Sequence, residues 1–370
     1  MDDGTPINDS GSSGFANGNS NLQARLNVIY PGGQSVWQPL FQQVFDRWSS
    51  ISGLSYVYEP NDDGATITSS SFPTGVLGTR ADLRIGGKTL DGNSGVLAYN
   101  YFPNVGEMVF DTNDTFYNTV TTNSLRLRNV TAHEHGHGMG MPHNRSNNAA
   151  FLMEPTFSAS FDGPQYHDIL AAQRMYGDVH EKSFAGLGND VSTRATSLGS
   201  VAYMTPKTIG QSAKTLVVAP TATDFVSIDD TNDTDWYSFA VSAIGHLNVH
   251  LEALGFLYNI TVQSGNGATP FDTKSRSDLS LALFTENGTT QLASANLNGL
   301  GRNESLFFTL NSAGTYLLRI TGADNADSIA LDAQFYGLTM NFAPVPEPAT
   351  LGMIALAALL FGRRCLTRQS

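Results

Sequence analysis

The sequence predicts an α+β domain followed by an all-β sandwich. Two patterns carry that expectation. Helix-like and strand-like stretches are mixed between residues 22 and 178, and from residue 201 short strands alternate with turn residues with no helical period among them. Length agrees: 370 residues, at roughly 150 per domain, make two domains with additional segments.

Taken in order, residues 1–21 are rich in Asp, Gly, Ser and Asn with no apolar run. They read as a disordered leader, and not as a signal peptide as written. The stretch LQARLNVIY (Leu22–Tyr30) alternates apolar and polar residues and reads as a strand. In VWQPLFQQVFDRWSSI, Val36, Leu40, Phe41, Val44, Phe45 and Trp48 recur at helical spacing, which predicts an amphipathic helix. ADLRIGG and GVLAYNYF read as strands between Gly-rich turns. SLRLRNVTAHEHGHGMG reads as a second helix, with Ser124 as its N-cap and Gly138 or Gly140 ending it. QYHDILAAQRMYG is a third helix closed by Gly177. The polar stretch 179–200 reads as a linker. DWYSFAV, HLNVHLEAL, DLSLALF, ESLFFTL, GTYLLRI and ALDAQFYGLTMNF then supply the strands of a sandwich over 201–342, with hairpin chemistry in ENGT and NSAGT. Residues 343–370 form a separate tail.

Composition excludes two classes. Lys and Arg number 20 against 33 Asp and Glu, a net charge of −13, so the basic footprint of a nucleic-acid binder is missing. The chain has one cysteine, Cys365, which rules out an internal disulfide and a Cys-rich metal site. A metal would have to be held by histidine and carboxylate.

Four of the eight histidines stand in the string HEHGHGMGMPH: His133, His135, His137 and His143. On a helix, His133 and His137 are four residues apart and project from one face. Gly140 lets the chain turn sharply and bring His143 back as a third ligand. Three protein ligands leave a fourth position open, the arrangement of a catalytic zinc. Glu134, beside a ligand but not one itself, is placed to act as general base toward a zinc-activated water. His135 points elsewhere. Met153, ten residues after His143 in FLMEPTF, matches a Met-turn beneath the ligands.

With these motifs the chain resembles the metzincins, and among them the matrixins, zinc endopeptidases of matrix-metalloproteinase type, over Leu22–Gly177. The resemblance implies a twisted sheet with three helices and a cleft above the metal. It further implies an edge strand through Val96, Leu97, Ala98 and Tyr99 that pairs with an extended peptide substrate. Pro155, Thr156 and Phe157 would wall the pocket for the residue after the scissile bond, with Asn129 near its base. Matrixins hold a second, structural zinc through histidines on the strands beside the cleft; Tyr99 and Val109 stand where two of them are expected, so that site is expected to be absent. Asp91, Asp111 and Asp114 are candidate ligands for a structural Ca2+. Asp229, Asp230, Asp233 and Asp235 are a second acidic group that reads as a solvated loop. The family's cysteine-bearing propeptide is missing.

The β-rich region resembles the bacterial pre-peptidase C-terminal domain. The end, VPEPATLGMIALAALLFGRR, resembles the PEP-CTERM sorting signal, which implies processing by an exosortase-type enzyme in the envelope of a Gram-negative bacterium. Its 14-residue apolar run from Ala349 to Gly362 is short of the roughly 20 residues of a spanning helix, so membrane contact is expected through the tail alone. The expected function is therefore that of an exported, zinc-dependent endopeptidase of the cell envelope or exterior, acting on a protein or peptide. The alternatives are a surface adhesion or matrix-binding protein with a vestigial protease domain, and a metal-dependent hydrolase of non-peptide amides.

Overall fold

The computed structural model describes all residues except 149, 231, 263–266, 324–332 and 346–370, so the PEP-CTERM-like segment lies outside the described residues. The first half contains α1 (Ser10–Ser13), α2 (Leu22–Ile29), α3 (Gln34–Ser49), α4 (Thr121–Gly138) and α5 (Tyr166–Tyr176), followed by the single turn α6 (Ser183–Gly186). Its strands are β1 (Pro6–Asn8), β2 (Gly18–Asn19), β3 (Ile67–Thr68), β4 (Ile85–Lys88), β5 (Ala98–Asn100), β6 (Met108–Asp111) and β7 (Asn144–Arg145). Strand β6 is central to a small sheet, parallel to β4 and antiparallel to β5, which leaves β5 at the edge. Helices α3 and α4 pack under this sheet: Trp37, Leu40 and Phe41 meet Met108, Phe110, Leu127 and Val130.

The second half contains β8 (Thr196–Ser200), β9 (Lys207–Ile209), β10 (Ser227–Ile228), β11 (Thr234–Val241), β12 (Gly245–Ala253), β13 (Leu257–Val262) and β14 (Thr269–Asp272). It continues through β15 (Leu279–Thr285), β16 (Gln291–Ala295), β17 (Glu304–Leu310), β18 (Gly314–Gly322) and β19 (Gln334–Pro344). Two sheets, ordered β16-β15-β18-β11-β8 and β10-β19-β12-β17, face each other. Alternation along β12 shows why: Leu247, Val249 and Leu251 are buried in the core they share with Leu281, Leu283, Leu318 and Ile320, whereas His246 and Asn248 face out.

Four expectations are corrected. The leader is folded: β1 pairs with β2 and β3, Ile7 is fully buried against Leu90 and Val109, and buried Asp9 takes bonds from Lys88 Nζ (2.6 Å) and the hydroxyls of Tyr99 (2.6 Å) and Tyr101 (2.8 Å). A polar composition hid two residues with long-range partners. Leu22–Ile29 is helix, because burying Leu22 and Leu26 one turn apart uses the strong helix formers between them and leaves Val28 at the surface. Ser124 is not an N-cap: with Thr122 and Asn123 it sits at φ near +55°, and the regular part of α4 begins after it. The stretch 179–200 is not a free linker, since β8 joins the sandwich beside β11. At the other end β19 runs on to Pro344, two residues beyond the expected boundary at 342.

The two halves share a core. Val44, Trp48, Ile169 and Leu170 from the first pack in one cluster with Phe225, Tyr258 and Phe335 from the second.

Next to β6, Glu107 is fully buried and no other described residue donates to either carboxylate oxygen. Burial pushes its pKa up to about 7. A raised carboxylate pKa means stability present below the unfolded value, about 4.3, and lost as pH rises through the folded one. Thermal melts from pH 5 to pH 8 should therefore show a falling Tm that Glu107→Gln flattens; a parallel decline in the variant would assign the loss to other groups.

Candidate metal centre

Helix α4 carries the first two histidines on one face, and the chain leaves it at Met139 and turns at Gly140, whose φ of +106° lies in the region that suits glycine. His143 returns over the helix. Its Nε2 lies 3.0 Å from His133 Nε2 and 3.1 Å from His137 Nε2. The ligand atoms of the three rings all fall within 4.8 Å of one another.

The other face of each helical ring fixes its protonation. His133 Nδ1 is 2.7 Å from the Leu152 carbonyl and His137 Nδ1 is 2.7 Å from the Met141 carbonyl. A carbonyl only accepts, so both Nδ1 atoms donate and both Nε2 atoms present lone pairs to the centre. Burial and the neighbouring imidazoles push His133 down to about 3; burial, reinforced by His143, pushes His137 down to about 4. Both of these rings are neutral at pH 7. An all-nitrogen set of three converging donors fits zinc and is unsuited to the hard cations that prefer oxygen.

Glu134 follows His133 on α4, 6% exposed, with Oε2 lacking a hydrogen-bond partner among the described residues. Burial raises its pKa to about 8. His135 faces the opposite way, into an aromatic box of Phe45, Trp48 and Tyr56, where its Nε2 is 2.6 Å from the Tyr56 hydroxyl.

Met153 packs under the helix. Its Sδ lies 2.3 Å from where a Cβ on Gly136 would stand, so only glycine allows that approach. The turn is held by Asp168 of α5, whose carboxylate accepts from Leu152 N (2.7 Å) and Met153 N (3.1 Å) while closing a capping box with Gln165. Burial pushes Asp168 up to about 6 in spite of those bonds. Nothing local in the sequence marked Asp168; its partners are 15 and 16 residues away.

Among the residues expected at the cleft, Val96 and Leu97 precede β5, and Ala98 and Tyr99 lie in it. Ala98 points into the core and Tyr99 toward Asp9. The strand abuts the end of α4, with Asn100 Nδ2 2.7 Å from a Cβ built on Gly138. Phe102, exposed and 5.8 Å from the His137 ring, is an apolar neighbour of the centre that the sequence reading missed. Pro155 is half-buried, Thr156 is exposed, and Phe157 stacks edgewise on Phe116 at 5.0 Å. Asn129 does not open into a pocket. It is 3% exposed, donates to the carbonyls of Ser158 and Phe161, and accepts from Gly163 N. Its place is under the loop that follows Phe157.

Asp91, Asp111 and Asp114 do not form a ligand group among the described residues. Their oxygens accept from the backbone N–H groups of Gly92, Ser94, Val96, Asn113 and Phe116 instead. A second group does gather: Glu181, Asp190 and Asp233 bring carboxylate oxygens within 4.8 Å. Asp235 is buried as well, so this region is not the solvated loop that composition suggested.

Comparison with known proteins bears on these arrangements. Residues 31–177 match the family model of the matrixins. The chain carries a matrixin domain. Residues 233–322 match the bacterial pre-peptidase C-terminal domain and 344–369 the PEP-CTERM protein-sorting motif. The matrixin stretch is 30% identical over 138 residues to human matrix metalloproteinase-19, which covers 37% of this chain and 25% of that protein. Karilysin of Tannerella forsythia is 30% identical over 144 residues, 37% of this chain and 28% of its own. The sea-urchin (Paracentrotus lividus) hatching enzyme is 28% identical over 165 residues, 41% and 24% of the two chains. The chain thus spans about a quarter of the length of these relatives. The solved pre-peptidase C-terminal domain of a Bacillus anthracis collagenase aligns with 40% of this chain and 94% of its own at 17% identity and TM-score 0.23. No helix among the described residues is long and apolar enough to cross a membrane.

Asn129→Ala in the matrixin domain should free two carbonyls and one N–H in a buried place, at about 1–3 kcal/mol for each group left unpaired. Limited proteolysis should then cut within 158–163 faster than in the parent; unchanged cleavage would show that the loop is held elsewhere.

Proposed function

We propose that this protein is an exported zinc endopeptidase in which His133, His137 and His143 hold the metal and Glu134 is the general base. The observation that carries the reading is the convergence of three imidazole nitrogens, two with lone pairs fixed inward, around a helix that also carries Glu134, a buried carboxylate whose Oε2 has no partner among the described residues. Zinc bound there supplies Lewis-acid chemistry, lowering the pKa of a water to about 7 and polarising a peptide carbonyl. Glu134 takes a proton at Oε2 and passes it to the departing nitrogen. The edge of β5 offers backbone groups to an extended chain, and exposed Phe102 beside His137 supplies apolar contact. The substrate is then a protein or peptide, with an apolar residue preferred after the scissile bond. The PEP-CTERM motif supports export and processing by an exosortase-type enzyme in a Gram-negative envelope, with membrane contact through the tail.

Metal content and peptide hydrolysis test the core of this reading together. The parent should bind about one zinc per chain, and His→Ala at any of the three positions should strongly weaken retention. Glu134→Gln should keep zinc while hydrolysis falls roughly 10²- to 10⁴-fold. A zinc-loaded parent that cuts no peptide would favour the adhesion reading instead.

A structural calcium belongs, on this reading, at Glu181, Asp190 and Asp233 rather than at Asp91, Asp111 and Asp114. Asn189 Oδ1, Asp190 Oδ1 and Asp233 Oδ1 are buried oxygens with no donor. Burial, followed by repulsion from Asp235 and Asp229, pushes Asp233 up to about 11; burial and Asp190 push Glu181 up to about 8. Such a set suits a hard cation that takes six to eight oxygens. Millimolar calcium should raise the Tm over that in chelator, and Asp233→Asn should abolish the difference. Equal melts of the parent in both conditions would remove the assignment.

A further inference from the structure

We infer that the zinc centre is completed from the second half of the chain: hairpin β13–β14, outside the two sandwich sheets, positions the third ligand, His143, and the carbonyl that orients the first, His133. This rests on the zinc reading above and extends it to residues outside the matrixin domain.

The described residues between His143 and Met153 have little regular structure of their own, and their braces come from outside. Asn144 N donates to the Met153 carbonyl at 3.0 Å, closing the segment on itself. Beyond that, β7 is a strand only because β13 pairs with it, Arg145 opposite Thr261 and Asn144 opposite Val262. The residue next to the third ligand is therefore fixed by a strand more than a hundred positions away. Asn259 adds two bonds, from its backbone N to Asn148 Oδ1 (2.8 Å) and from Nδ2 to Asn147 Oδ1 (2.9 Å).

The same hairpin reaches the other end of the segment through Tyr258. This side chain is fully buried, its ring 5.1 Å from Phe151 and 5.6 Å from His167, with its hydroxyl 2.8 Å from His167 Nδ1. Phe151 directly precedes Leu152, whose carbonyl accepts from His133 Nδ1. One hairpin thus bears on two of the three rings, through β7 for His143 and through Phe151 for His133. Groups that orient metal ligands in this way change affinity by roughly 10–100-fold when removed. Tyr258, Asn259 and the β13 backbone are positioning residues; none of them touches the centre.

The test uses the full chain and the rate at which zinc passes to a chromophoric chelator, with hydrogen exchange of residues 144–152 measured in the metal-free protein. Tyr258→Ala, and separately Asn147→Ala with Asn148→Ala, should speed zinc release roughly ten-fold or more and speed exchange in that segment. Leu283→Ala, in the sandwich core away from the hairpin, should lower the Tm yet leave both rates at the parent's value. The paired Asn variant changes only exposed side chains, so it decides the matter where Tyr258→Ala does not fold. Release and exchange at the parent's rate in the hairpin variants, or equal acceleration by Leu283→Ala, would overturn the inference. A parent that retains no zinc would instead overturn the zinc reading, and the exchange data would still judge the hairpin.

Discussion

Two imidazoles one helical turn apart can share a metal only when a third donor is folded back over them, and that return is the constraint from which the rest of the matrixin half follows. It needs a helix that stops at the right place, which Met139 and Gly140 provide. It needs a floor, because a returning loop without one would collapse onto the helix or swing away from it; Met153 against Gly136 is that floor. The floor in turn needs fixing, and Asp168 fixes it through the two N–H groups of the turn. The supports range from four residues at Met141 to sixteen at Asp168 to more than a hundred at β13.

Burial sets the chemistry of the two donor groups in opposite ways. Around His133 and His137 it favours neutral rings, so nitrogen lone pairs collect without charge repulsion. Around Glu181 and Asp233 burial and like charge act together against ionisation, a cost that a proton or a bound cation would offset. Soft and hard metal preferences are thus separated by environment as well as by donor type.

The convergence of His133, His137 and His143 was legible in the sequence because its geometry is encoded locally: spacing of four on a helix, a glycine, three more residues. Met153 was legible for the same reason. Helices α3, α4 and α5 and the sandwich strands showed their periods. What stayed hidden depends on distant partners. Asp9 gave no sign of Lys88, 79 residues on, and so the leader looked disordered. Asn129 was assigned to a pocket because its position on the helix was readable, whereas its three bonds to the loop after Phe157 were not. Leu22–Ile29 has an apolar pattern that suits strand and helix alike, and only the core it meets, Leu26 beside Tyr30 and Phe41, decides between them.

The leader also fastens the edge strand of the small sheet. Tyr99 and Val109 are opposite one another in β5 and β6. Val109 is buried against Ile7, and Tyr99 turns its hydroxyl to Asp9, which also holds Lys88 and Tyr101. One carboxylate thereby ties β4 and β5 together from outside the sheet. Asp9 and Lys88 are almost wholly excluded from water at 2.6 Å, where losing one partner of such a pair costs about 3–5 kcal/mol. A strand at the edge of a sheet, with one side unpaired, is fastened here by its side chains. Here the fastening comes from a segment that composition alone would have discarded.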